Sequence, residues 1–199
     1  MSSLALSTAL SLALRLAAAA PVGSAEPGAG AAPVDLAVGK GSSVSYHLVH
    51  KFHEVTGVSR AVDGKARLLP GGAVQVMVRA RVDAFDSGNG NRDAHMLEVT
   101  EAARYPYVVL KAVGAVAPPA GYPATVEVAL AGELAFHGVT RPVSMPAQVT
   151  FSGPKSASVA ATFPISLDGF GVERPSLLFM KVDDTVVIKA SLALGAVQP

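Results

Sequence analysis

The sequence predicts an all-β fold, one antiparallel barrel of about eight strands with a short helix between two of them. Three observations carry this. Val, Ala, Leu and Gly dominate a chain of 199 residues that is only 6% aromatic and 16% charged, a composition suited to strands and small-residue packing. Apolar and polar residues alternate in one segment after another, the period of a ribbon with one dry and one wet face. One such segment, Val126 to Phe136, is long enough to curl, which favours a barrel over a sandwich.

Residues 4–20 (LALSTALSLALRLAAAA) are apolar but short and interrupted by Arg15, whereas a membrane span needs about 20 uninterrupted apolar residues. The small-residue stretch PVGSAEPGAG follows, so residues 1–25 read as a secretory signal peptide cleaved at Ala25–Glu26. No later segment could span a bilayer, and the mature chain is expected to be periplasmic or secreted. Residues 26–41, beginning EPGAGAAPVDLAV, read as a linker, and the barrel domain is expected over 42–196. SVSYHLV (43–49) opens it, with Val44, Tyr46 and Leu48 on one face. KARLL ends at Pro70-Gly71-Gly72, and AVQVMVRARVDAF (73–85) sets Val74, Val76, Val78 and Val82 against Gln75, Arg79, Arg81 and Asp83. The turn cluster 86–91 precedes a helix near residues 92–103, with Asn91 or Asp93 as its cap. Strands resume at 107–113, 125–138, 142–153, 158–167 and 185–194, and Gly132 inside the second of these marks a bulge or sharp bend.

Several function classes drop out. Sixteen basic against fifteen acidic residues give a formal charge of +1 with no Lys/Arg cluster, so no nucleic-acid partner is expected. Cysteine is absent, which removes disulfides, thiolate metal sites and a Cys nucleophile. There is no G-x-S-x-G elbow and no Gly-rich phosphate loop, so neither an enzyme nor a cofactor is expected. His47, His50 and His53 have the spacing of a chelate on a helix. On one continuous strand His50 would face away from His47 and His53, which would stand about 20 Å apart. A histidine-based metal- or haem-linked protein is therefore the alternative reading. Arg92, Asp93 and His95 could be acid–base groups, or could tie a helix N-terminus to a strand end, where the helix dipole favours a carboxylate.

The apolar residues remain. Phe52, Phe85, Met96, Leu97, Val109, Leu134, Phe136, Phe163, Phe170 and Phe179 are either an ordinary core or the lining of a cavity. An eight-stranded barrel can be filled by its own side chains or hold one small ligand.

In order along the chain stand Val55-Thr56-Gly57, Arg92-Asp93-x-His95-Met96, Tyr105-Pro106, GELAFHGVTRPVSMP (132–146) and Phe170-Gly171-Val172, with Asp183-Asp184 before the last strand. In this the chain resembles the YceI family of lipid- and polyisoprenoid-binding proteins, from about Ser42 to Leu194. The resemblance implies a lipocalin-like barrel holding a long amphiphile (a polyisoprenoid, fatty acid or fatty amide) in an elongated apolar cavity. The ten apolar residues above would line it, and Arg92, Asp93 and His95 would fix the helix and meet the polar end of the ligand. His137 would pack and hydrogen-bond at a strand end. The segment 166–179 lacks the basic residue that relatives often carry before F-G-[VI], and the first strand is unusually rich in histidine. A homodimer is compatible with the sequence.

Overall fold

The structure, a computed structural model, describes residues 32–50, 53–117, 119–174, 176–177 and 180–197. The expected signal peptide, Phe52 and Phe179 lie outside them.

Eight antiparallel staves close into a barrel. The first stave is β1 (Val34–Val38) and β2 (Ser43–His50), which pair with the same edge of β12 (Thr185–Ala196). They are one strand interrupted at residues 39–42. There the Ser42 hydroxyl donates to the Gly39 carbonyl (2.8 Å) and accepts from the Ala193 N–H (3.0 Å), so the break leaves these buried polar groups satisfied. The second stave is β3 (His53–Ser59) and β4 (Val62–Leu68), interrupted at Arg60-Ala61. Then come β5 (Ala73–Arg81), β6 (Tyr107–Ala115), β7 (Ala124–Phe136), β8 (Val139–Gly153), β9 (Ser156–Ser166) and β12. A short hairpin, β10 (Ser176–Leu177) with β11 (Met180–Lys181), stands apart from the ring. The order β1-β4-β5-β6-β7-β8-β9-β12 is closed by β12 pairing with β1 (Val38↔Leu194). Closure removes the exposed sheet edges that an open sandwich would have to protect.

β1 lies inside the stretch read as a linker, because five residues between Pro33 and Gly39 are too short to show a period. β3 also differs from expectation. The chain does not run through the three histidines as one continuous strand. β2 and β3 pair antiparallel, so that His50 stands opposite His53 and Tyr46 opposite Gly57. A Cβ on Gly57 would meet the Tyr46 ring at 2.4 Å, so the missing side chain is where that ring lies. Gly132 makes no bulge, since its register to Ala112 and Val143 is unbroken. It instead lets β7 coil close to β6, where a Cβ would fall 2.0 Å from the Lys111 carbonyl oxygen.

The helix α1 (Gly90–Val99) starts earlier than expected, and its cap is Asn89, whose side chain accepts from the Arg92 N–H at 3.1 Å. It ends before Glu101, which takes a left-handed φ of 45°. The β2–β3 hairpin, α1, the β7–β8 turn and the β9–β12 connection all lie at one end of the barrel, called here the mouth. The Pro70-Gly71-Gly72 turn, the β6–β7 connection and the β8–β9 turn lie at the other.

Candidate functional site

The barrel is hollow. Its interior holds a cavity of about 580 Å³ walled almost wholly by carbon. One strip of wall explains the space. Ala147, Ala161 and Ala190 stand side by side in register on β8, β9 and β12, and all three face inward. Around them larger residues such as Leu134, Met145 and Phe163 are buried in the ordinary way. A barrel this size closes its centre only if facing side chains meet, and methyl groups on three adjacent staves cannot reach across.

Of the residues expected to line a cavity, Phe85, Met96, Leu134, Phe136 and Phe163 do so. Val109 does not. Val108 and Leu110 face the cavity, and Val109, one position out of phase, stands on the outer wall beside Arg79. Leu97 lies off the cavity-facing stripe of α1, which is Arg92, His95, Met96 and Val99. Phe170 is buried outside the cavity, in a 3-10 turn (Asp168–Phe170), packed on Phe136 at 5.7 Å between ring centroids. The alanine strip was missed in the sequence, because an alanine in a strand carries no signal of which way the wall it belongs to faces.

The polar groups gather at the mouth. The Asp93 carboxylate turns away from the cavity and accepts from the backbone N–H and hydroxyl of Ser87. Arg92 donates to the Ser87 hydroxyl (2.8 Å) and carbonyl (2.7 Å). These two residues therefore tie the start of α1 to the loop after β5, the structural half of what their spacing offered. Beside them burial pushes the Tyr46 phenol up, and the Asp93 charge adds to this. Asp93→Ala is expected to lower unfolding stability by about 1–2 kcal/mol, as a carboxylate accepting hydrogen bonds at a helix start is lost. The shift of a urea midpoint checks it. His95 stands half-exposed at the rim, its Nδ1 3.5 Å from Glu98.

The β7–β8 turn shows what the H-G-V-T stretch does. His137 (φ 51°) and Gly138 (φ 74°) are the two central residues between the paired Phe136 and Val139, a turn whose twist suits a hairpin but which favours Asn-Gly. The His137 side chain holds its backbone in place. Its Nδ1 is 3.1 Å from the Phe170 carbonyl, and Tyr105 meets its ring edge-on at 5.5 Å. Tyr105 also occupies the space over Gly138, where a Cβ would fall 2.6 Å from the ring.

The connection to β12 is clamped by Arg174, which donates to both Asp168 oxygens (2.8 and 2.7 Å) and to the Val182 carbonyl. Arg141 donates to the Gly169 carbonyl at 2.8 Å. The Asp168 N–H, followed by the Ser166 hydroxyl, holds the Asp184 carboxyl below its usual range.

The histidine run does not converge. His47 lies on the outer face, with Nδ1 3.0 Å from the Thr56 hydroxyl, while His53 lines the cavity, because the antiparallel pairing of β2 with β3, His50 opposite His53, resets the alternation. Among the described residues no three His, Asp or Glu side chains group as ligands of a metal ion. Nor is any helix among them long and apolar enough to cross a membrane.

Fold and site together define a closed antiparallel barrel with an apolar interior and a polar mouth, the architecture of a small-molecule-binding barrel. The chain belongs to the YceI-like domain family, which matches residues 37–194. Among solved structures it is similar to BcnA of Burkholderia cenocepacia, with 22% identity over 76% of this chain and 95% of that one, at a TM-score of 0.64. It is also similar to a polyisoprenoid binding domain from Saccharophagus degradans, described as implicated in plant cell wall breakdown. There identity is 14% over 82% and 99% of the two chains, with a TM-score of 0.66. The YceI protein of Campylobacter jejuni matches at 14% identity over 75% and 90%, with a TM-score of 0.59. At these identities the likeness concerns the fold. None of the curated proteins matches the chain in sequence.

Proposed function

We propose that this chain is an exported carrier that holds a long-chain amphiphile, a polyisoprenoid or a fatty-acid derivative, tail-first in the barrel, and performs no reaction on it. The observation that carries the reading is the cavity. At about 580 Å³ it is in the range of small-molecule sites, and its carbon walls offer a ligand little besides apolar contact. Each methylene transferred into it from water contributes about 0.8 kcal/mol, so an alkyl or prenyl tail needs no charged partner to bind. The polyisoprenoid binding domain that shares this barrel gives the same ligand class independent support. Asp93 and Arg92, the best candidates for chemistry, are occupied in tying α1 to the Ser87 loop. Export is read from residues 1–25.

The test is organic extraction and mass spectrometry of the protein purified from its native host. A long-chain molecule present at close to one per chain is the expected result. Absence of any such molecule, even after the purified protein is incubated with mixed lipids and re-isolated, overturns the reading. N-terminal sequencing of the same material should begin at Glu26.

A further inference from the structure

Residues 87–105, from the loop after β5 through α1 to Tyr105, are joined to the barrel firmly at their two ends and weakly between. At one root Asp86 and Val58 exchange backbone hydrogen bonds (3.1 and 2.9 Å), and at the other the Val82 N–H donates to the Pro106 carbonyl (3.0 Å). Among the described residues, every backbone–backbone hydrogen bond made by 87–105 stays inside the segment. α1 has no buried residue, and no strand lies close along it. Yet Arg92, His95, Met96 and Val99 face the cavity, so the inner stripe of the helix stands over a hollow instead of over packed side chains.

The segment is nonetheless stiff. Asp93 and Arg92 both hold Ser87, Asn89 caps the helix, and the Thr100 hydroxyl donates to the Met96 carbonyl at 2.7 Å. All of these ties are internal, so they make 87–105 one piece without fastening it to the wall. The fastening is slighter. Val99 packs on the core, Thr100 and Ala102 are buried, and Tyr105 covers Gly138. The Tyr46 phenol meets the Ser87 hydroxyl, and the Glu101 carboxylate stands 3.3 Å from the His137 ring. A segment with few buried apolar contacts and no backbone bonds to its neighbours opens far more readily than the strands around it. Glu101, at a left-handed φ of 45°, is held in that conformation by these surroundings.

We propose that residues 87–105 are a flap, and that α1 lifts as one body about the roots at Asp86 and Pro106 to admit and release the ligand, with the contact between Glu101 and His137 holding it shut. The assignment rests on the carrier reading above. Arg92 and Asp93 then stiffen the moving piece and do not bolt it down.

The test is stopped-flow binding of a fluorescent fatty-chain probe to the whole chain, with association and release measured separately. A flap that must lift first makes the association rate level off as probe concentration rises, because opening becomes limiting. Glu101→Gly removes the holding contact and suits a left-handed backbone, so the flap should open more often while its shut form is kept. Association and release should both quicken about fivefold, the effect of losing one partly exposed polar contact. Because a flap changes both rates alike, Kd should stay within about twofold. Glu101→Gln, which keeps the side chain's length, should move both rates the same way by less, and thermal unfolding checks that both barrels are intact. Hydrogen exchange on the unaltered chain reads the flap independently: 87–105 should exchange together, ahead of β5 and β6, and more slowly once the probe is bound.

Association that rises linearly with probe and is the same in a folded Glu101→Gly overturns the flap and leaves the carrier standing. Faster release alone, the mark of a lost ligand contact, does the same, as does exchange of 87–105 no sooner than β5 and β6. A probe that binds neither the unaltered chain nor its variants removes the carrier, and the flap with it.

Discussion

Replacing Ala147 by phenylalanine should weaken binding of a long-chain ligand at least 100-fold while leaving the barrel folded. Ala147 is 1% exposed and faces the cavity at one end of the alanine strip, between Val128 on β7 and Ala161 on β9. A ring there enters space that is empty in the protein itself, so it need not displace a neighbour, the usual reason why larger core residues cost about 1–3 kcal/mol. The same ring takes the room of about four methylenes of a tail, and at about 0.8 kcal/mol each the loss is about 3 kcal/mol, or more than two orders of magnitude in Kd. Titration with a fluorescent fatty-chain probe reads the affinity, and thermal unfolding reads the fold. Unchanged affinity in a folded variant would mean that the tail does not run through the barrel.

The largest effect on stability is expected from Gly132→Val. A Cβ at this position would lie 2.0 Å from the Lys111 carbonyl oxygen and 2.5 Å from the Ala112 Cα, both backbone atoms of the neighbouring strand. Backbone in the middle of a paired strand cannot yield as a flexible side chain can, so β6 and β7 must part or lose register. The expected loss is about 3 kcal/mol or more, in the range reserved for severe overpacking. Gly132→Ala should lose most of it, because the clash begins at Cβ, whereas Gly153→Ala, with open space around its Cα, should lose little. Urea midpoints for the three variants give the comparison.

Much of the barrel can be read from alternation. Val74, Val76 and Val78 were assigned to the interior from their period alone, and all three line the cavity. Where the period is short or broken the reading fails. β1 is five residues long, and the histidine run is shared between two antiparallel strands, so parity counted straight through it puts His53 on the wrong face. A single slip of phase also explains Val109, since parity places residues on a face only after the first inward residue of that strand has been identified. The hollow itself was not legible. It depends on three alanines from strands far apart in the chain falling into one register row, and register between strands is a property of the folded ring. The marks at Gly57, Arg92-Asp93, Tyr105, His137-Gly138 and Phe170 were read in order along the chain, but that they meet at the mouth follows from the topology.

The first and last strands are each other's neighbours, with Leu36 opposite Ala196 and Val38 opposite Leu194. The ring therefore cannot shut until β12 has been synthesised, and contacts spanning such separations form slowly. A chain that stopped short of β12 would leave β1, β2 and β9 each with an unpaired edge, open to the strands of a neighbour.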